Sequence, residues 1–519
     1  MEGPFRFRGG GRWRRRSSGR PQFSSVALLC GGLLLFLLLF LFLFSEVLRA
    51  VVVSPHSPLP DGINVSAPLL QCSDGSSSLM GNGERFLLYA PHSGFSNQLS
   101  ELRNAILFAA ILNRTLVVPP VLDHHAIVLG SCPKFRVSSP SDLRASVWDH
   151  TMELLRNRRF VSMADVIDLS SLVSSSMVRF IDFREFASAW CGIDMDLACT
   201  ARDHESLPKE FQQCRDLLSG LDSGVQDCVY GVEDDCRTTV WTYGQDSDGT
   251  LDPFQPDQEL QKRKKISYVR RRRDVYKAFG PGSKSEAATV LAFGSLFSAP
   301  YKGNELYIDI HGVPTDSRIQ SLLRKIDYLP FAQEILNAGK EFALNKIKGP
   351  FLCAQLRLLD GQFKNHWKEA FSALRQKIEL IQTDIGEKKN RGPVSIFVMT
   401  DLPAANWTGT YLADLSSNSS SFKLFTLPED DELVARASMQ LMSAGHSLRT
   451  PLLLENRNTA ASNKKICPPL KLPSILLYVQ EAVCSCASLG FVGTSGSTIA
   501  ENIELMRKND VCSSERGLL

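Results

Sequence analysis

Four short stretches of this 519-residue chain carry residue types suited to holding an anionic nucleotide. The first is His92-Ser93-Gly94-Phe95-Ser96-Asn97-Gln98. Its glycine permits a tight turn and close backbone approach, and a helix start behind it would offer free N–H groups to a phosphate. The same pattern also suits a plain strand-to-helix turn capped by Ser96 or Asn97. The second is Gln355-Leu356-Arg357 at the end of an apolar run, where a guanidinium could grip a phosphate in two-pronged fashion or simply form an ion pair. The third, Phe491-Val492-Gly493-Thr494-Ser495-Gly496-Ser497-Thr498, places hydroxyls and backbone amides where a diphosphate could sit. The fourth is Thr400-Asp401, a ligand contact or a helix cap. The phosphate-loop pattern G-x-x-x-x-G-K-[ST], the zinc pattern H-E-x-x-H and the nucleophile pattern G-x-S-x-G do not occur. Asp194/Asp196 and Asp246/Asp248 are Asp-x-Asp pairs, but one sits in a cysteine cluster and the other in a polar, turn-like stretch, so no metal is expected.

The elements around these stretches repeat one design. Phe86 to Ala90 reads as a strand, Pro91 to Asn97 as a loop, Gln98 to Leu112 as a helix with Leu99, Leu102, Ile106 and Ala109 at helical spacing, and Thr115 to Val118 as a second strand. That is a βαβ unit of the doubly wound kind. Alternation resumes with strands at Phe351–Arg357, Val394–Met399 and Phe422–Leu427. A helix lies around 367–384, another at Ser474–Ala487, then a strand Gly490–Val492 and a helix Ser497–Lys508. The fold class expected is α/β, with two Rossmann-like lobes facing a cleft, over 84–345 and 346–519. Ligands in such sheets bind at the carboxyl ends of strands.

The formal charge of +3 is misleading, because residues 1–20 hold seven Arg and one Glu and the remaining chain sums to −3. Charge therefore gives no reason to expect a nucleic-acid partner. Behind this basic arm (1–25), Val26–Phe44 is an uncharged run of 19 residues. As a helix it would span roughly 28 Å, enough for a thin bilayer. The arginines before it predict a cytosolic N-terminus and a lumenal body, with a signal anchor favoured over a cleaved signal peptide. Residues 45–83, rich in Ser, Pro and Gly, read as a flexible stem. Five cysteines between Cys191 and Cys236, with no C-x-x-C pair, suggest disulfides rather than zinc, with Cys132 a candidate sixth partner. Cys353, in a strand-like run, is expected as a free core thiol. Sequons begin at Asn64, Asn113, Asn406 and Asn418. The basic block Lys262–Arg273 is expected as a solvated loop, with acidic-glycan contact or a proteolytic site as alternatives.

Gly94-Phe95-Ser96-Asn97-Gln98 followed by Leu112-Asn113-Arg114-Thr115-Leu116-Val117-Val118-Pro119-Pro120 resembles the first motif of the GDP-fucose protein O-fucosyltransferase family, especially its plant branch. Gln355-Leu356-Arg357 resembles that family's His-x-Arg motif, and Phe491–Lys508 its C-terminal Gly/Ser motif and helix. The resemblance implies a GT-B architecture and metal-independent, inverting transfer of fucose from GDP-fucose to a protein or glycan hydroxyl in the Golgi or ER. It implies that Arg357 holds the β-phosphate and stabilises the departing GDP. Asn97 would touch the donor or the acceptor oxygen, and Ser497 and Thr498 would bind the pyrophosphate. Gly94 and Phe95 would shape the cleft, with Gln355 and Asp401 among the donor-binding residues. The chain departs from the family at Gln355, which cannot titrate, at Ile499, and at Ser93, where one branch carries a candidate base Glu. Neighbouring His92 is the substitute base on offer. UDP-rhamnose as donor and a lumenal pseudoenzyme are the alternatives these departures leave open.

Overall fold

The computed structural model describes residues 83–123, 138–193, 195, 209–220, 228–234, 239–243, 253–254, 270–296, 308–309, 316–359, 363–386, 392–444, 448 and 474–512. The basic arm, the apolar run 26–44, nearly all of the stem, Asn64, Cys132, both Asp-x-Asp pairs and residues 262–269 of the basic block lie outside them. Among the described residues no helix is long and apolar enough to cross a membrane.

In chain order, β1 (Phe86–Leu88) leads to α1 (Phe95–Leu112) and β2 (Thr115–Val118). Then come α2 (Pro140–Arg156), β3 (Phe180–Asp182), α3 (Phe183–Cys191), α4 (Lys209–Ser219) and β4 (Val229–Gly231). Short strands β5 (Thr239–Thr242), β6 (Pro253–Phe254) and β7 (Arg270–Asp274) precede β8 (Val290–Ala292) and β9 (Ile308–Asp309). The remainder is α5 (Ser317–Ile326), α6 (Gln333–Phe342), β10 (Phe351–Leu356), α7 (Trp367–Gly386), β11 (Val394–Thr400), α8 (Tyr411–Ser417), β12 (Phe422–Phe425), α9 (Glu432–Ala444), α10 (Leu476–Ser485), β13 (Gly490–Gly493) and α11 (Thr498–Lys508).

Two parallel sheets carry the fold. One has the order β3-β2-β1-β8-β4 and the other β12-β11-β10-β13. In each, the chain winds outward on one side and then returns to the other, so the strand order reverses between β1 and β8 and between β10 and β13. Crevices at such reversals, outside the carboxyl ends of the strands, are where open α/β sheets bind ligands. The central strands of both sheets are buried on two faces, as parallel strands require. Phe86 and Leu88 face a core built with α2, α3 and α4, while Leu87 and Tyr89 face the one built with α1. Phe351 and Cys353 join that same α1-side core, and Leu352, Ala354 and Leu356 pack under α7. One continuous apolar core therefore links the two sheets through α1, α6, α10 and α11. At its centre Gly339 of α6 lies so close to α10 that a Cβ would stand 2.4 Å from that of Ala482, so only glycine permits the approach.

Two expectations are corrected. Cys353 is not a free thiol but is bonded to Cys484 of α10, tying the sheet to the helix that covers it. Arg270–Arg273 are not loop: they form β7, paired with β6 on one side and β5 on the other. The backbone pairs on both edges, and Arg273 forms an ion pair with Asp234. Cys191–Cys214 and Cys486–Cys512 are further disulfides.

Candidate active site

The loop after β1 is held from below by the start of α1. Three polar residues of that helix, Gln98, Glu101 and Asn104, recur every third position and so share a face. Gln98 Nε2 donates to the carbonyls of Ser93 (2.8 Å) and Leu122 (3.0 Å), and its Oε1 accepts from Leu122 N–H (3.0 Å). Glu101 Oε1 accepts from His92 N–H and Oε2 from Leu296 N–H, both at 3.3 Å. Asn104 Nδ2 donates to the Leu296 carbonyl (2.7 Å). One helix face thus pins the loops that leave β1, β2 and β8, on both sides of the first reversal point.

His92 bridges two of those loops. Its ring is fully buried, with Nε2 2.9 Å from Ser295 Oγ, Nδ1 3.1 Å from Ser93 Oγ, and Glu101 Oε1 3.5 Å from Nδ1. Burial drives the Glu101 carboxyl well above its ordinary range, against the two amides that favour its charged form. Tyr89, also buried, is pushed up by burial and by the nearby Glu101. Ser93 has φ 64, in the left-handed region, and a non-glycine residue there costs of order 1–3 kcal/mol that the surrounding bonds must offset. Such strain concentrates at functional sites.

The second reversal point is joined as tightly. Arg357 N–H donates to Thr494 Oγ1 (2.9 Å), Thr494 Oγ1 donates to the Gln355 carbonyl (3.1 Å), and Thr494 N–H donates to Gln355 Oε1 (3.1 Å). Asp401, at the end of β11, accepts from the amides of Leu358 (2.7 Å) and Leu359 (3.0 Å). Gln355 and Asp401 therefore fix the turn that presents Arg357, whose guanidinium lies 4.9 Å above the Phe363 ring. Gly496, at φ +72, turns the chain into α11. Ser497 caps that helix by position only: its side chain bonds no amide, is fully buried, and its Oγ has no partner among the described residues.

The two loops meet where Thr498 Oγ1 donates to Asn97 Oδ1 (3.3 Å), which leaves Asn97 Nδ2 without a described partner. Of the residues singled out from sequence, His92, Gly94 and Asn97 fall at the first reversal, and Gln355, Arg357, Asp401, Ser497 and Thr498 at the second. Gly94 is the N-cap of α1 with an ordinary φ of −69°. Phe95 packs 4.3 Å from Tyr478 and 6.0 Å from Phe331, in an aromatic stack that joins α1 to α10. Sequence reasoning misses Glu101 and Ser295, and includes Thr494 only as one hydroxyl of the third stretch. A lone carboxylate among Leu99, Leu102, Ala105 and Ile106 is the available signal for Glu101. Ser295 carries none, because a lone serine in the loop after β8 looks like any other loop serine. Among the described residues no group of three or more His, Cys, Asp or Glu could hold a metal ion.

Paired parallel sheets, with glycine-bearing turns at their reversal points, define an α/β protein of the doubly wound kind. Over 435 residues the chain is 57% identical to O-fucosyltransferase 30 of Arabidopsis thaliana, covering 83% of this chain and 84% of that one. The chain belongs to the O-fucosyltransferase family. No protein-family model matches it. Solved structures that align with it include POFUT1 in complex with GDP-fucose (13% identity, 83% of this chain and 95% of that one, TM-score 0.35) and the fucosyltransferase NodZ from Bradyrhizobium (12%, 82% and 93%, TM-score 0.31). TM-scores of this size fall below the level at which a shared fold can be argued.

Proposed function

We propose that this protein transfers fucose from GDP-fucose to a protein or glycan hydroxyl, by the metal-independent, inverting route that its family resemblance implies. The arrangement is GT-B-like, with lobes 84–345 and 346–519, carried behind a basic arm, a signal anchor at 26–44 and a stem, as a single-pass type II protein of the Golgi or ER whose catalytic part is lumenal. The observation that carries the reading is the second reversal point. Arg357 is presented there by Gln355, Thr494 and Asp401, beside the amino end of α11, where the Ser497 hydroxyl has no partner among the described residues. A helix start and a guanidinium together suit a diphosphate, and both act where negative charge grows as the sugar–phosphate bond breaks. Asn97, held by Thr498, stands at the edge of this site with an amide to spare for a donor or acceptor oxygen.

The test uses the purified full-length chain with GDP-fucose, GDP-mannose and UDP-rhamnose, measuring affinity by calorimetry and turnover by nucleotide release. GDP-fucose binding with turnover is expected, and Arg357→Ala should lower turnover by about 10²–10³-fold, the range for removing one charge-stabilising donor. Preference for UDP-rhamnose would sink the donor assignment, and binding without turnover on any acceptor would favour a pseudoenzyme. Placement is tested separately: a C-terminal tag open to protease in intact vesicles would rule out a lumenal body.

A further inference from the structure

The buried group around His92 is not needed to bind a diphosphate, yet it is built with unusual care. It sits at the first reversal point, and it holds a left-handed serine whose hydroxyl touches a buried imidazole. That imidazole is backed by a carboxyl 3.5 Å away on one nitrogen and by Ser295 Oγ at 2.9 Å on the other. Ser93 is partly exposed, four residues before Asn97 in the same turn, while His92 and Glu101 are fully enclosed. Only the serine hydroxyl can face a substrate, so the imidazole can reach one only through it.

We propose that Ser93 and His92 form a proton relay that deprotonates the acceptor hydroxyl, with Glu101 holding the His92 backbone in place behind it. The inference rests on the transferase reading above. In the step, the acceptor oxygen bonds to the anomeric carbon as the bond from that carbon to the diphosphate oxygen breaks, and its electron pair leaves with GDP. The acceptor proton passes to Ser93 Oγ while the Ser93 proton passes to His92 Nδ1, and after product leaves the imidazolium returns its proton to Ser93 Oγ, which releases one to solvent. This needs the tautomer in which Nε2–H donates to Ser295 Oγ and Nδ1 accepts. Glu101 faces Nδ1 directly, and Tyr89 is the other titratable side chain beside Glu101. A general base of this kind contributes about 10²–10⁴-fold to rate. Holding Ser93 at φ 64 aims its hydroxyl, and that aim is what the strain maintains.

The deciding variant is Ser93→Gly. Glycine accepts a left-handed φ without penalty, so the fold is kept while the hydroxyl is lost. Full-length wild type and variant are compared for GDP-fucose affinity, melting temperature and GDP release with water as acceptor, from pH 5 to 8. The expected result is a fall of about 10²-fold in kcat with affinity and melting temperature unchanged, and loss of the acidic limb of the pH profile. Turnover by Ser93→Gly at the wild-type rate, with the wild-type profile, overturns the relay alone. Wild type that binds no GDP-fucose overturns the donor reading and the relay with it.

Discussion

The turn after β1 and the turn after β13 look alike in sequence, each a strand, a glycine-bearing polar turn and a helix, yet they are finished differently. In the first, the side chains of the turn and the helix face are engaged: Gln98 makes three hydrogen bonds, Glu101 accepts two amides, and both ring nitrogens of His92 have partners, while the buried Tyr89 Oη before them has none among the described residues. In the second, the bonds that hold Arg357 are complete, but Ser497 Oγ is buried with no described partner and the first amides of α11 have no side-chain cap. A buried polar atom left unpaired costs about 1–3 kcal/mol, so a fold retains one only where something else is gained. The contrast assigns the first turn to holding and aiming, and the second to receiving an anion. Each half of that assignment predicts its own pattern of loss.

If the first turn is a bracket, breaking it should cost stability before it costs affinity. Glu101→Ala removes the acceptor for two buried amides, and at about 1–3 kcal/mol for each unsatisfied donor should destabilise the chain by about 2–6 kcal/mol in a denaturant melt. A loss under 1 kcal/mol would mean that the three loops hold themselves.

Next in size is the buried carboxyl of α10. Burial raises Glu481 to about 8, partly offset by a 2.6 Å hydrogen bond from Asn502 Nδ2. Its folded value lies above its ordinary one, so its contribution to stability is intact below about pH 4.5 and is lost as pH rises through 8. Glu481→Gln keeps an acceptor for Asn502 and adds a donor where Asn502 Oδ1 has none. The variant should match wild type near pH 4.5 and exceed it by roughly 4 kcal/mol near pH 8, from the unit-to-energy conversion of the shift. Melting curves across that range decide it, and a difference independent of pH would show the carboxyl to be unshifted.

Much of this layout was legible in the sequence because apolar strands ending in polar, glycine-bearing turns carry a local signal. The strand, turn and helix at 86–112 and at 490–508 follow from periodicity and glycine alone, and so do β10, β11 and α7. What stayed hidden is what depends on partners far along the chain. Nothing near Cys353 announces Cys484, 131 residues on, since either cysteine alone suits a core. Arg270–Arg273 read as a solvated run because the neighbours that pair with β7 lie outside it in sequence. Arg357 and Ser497 could be proposed from type and place. That Gln355 and Asp401 spend their oxygens on backbone amides beside them could not, because each could equally have faced a ligand.

The smallest effect tests the contrast most directly. A serine at a helix start ordinarily caps it, and replacing such a cap by alanine costs about 1 kcal/mol of stability. Ser497 makes no cap bond, and its hydroxyl is enclosed without a described partner. Ser497→Ala should therefore leave the melting temperature unchanged or raise it slightly, since the unpaired group is removed. If that hydroxyl serves a diphosphate, GDP-fucose affinity should fall by about five- to tenfold, the worth of one hydrogen bond of about 1 kcal/mol or slightly more. The two readouts move in opposite directions only if the second turn is built for a ligand. Should the variant lose stability while keeping its affinity, Ser497 is a helix cap after all, and the two turns differ in nothing that bears on function.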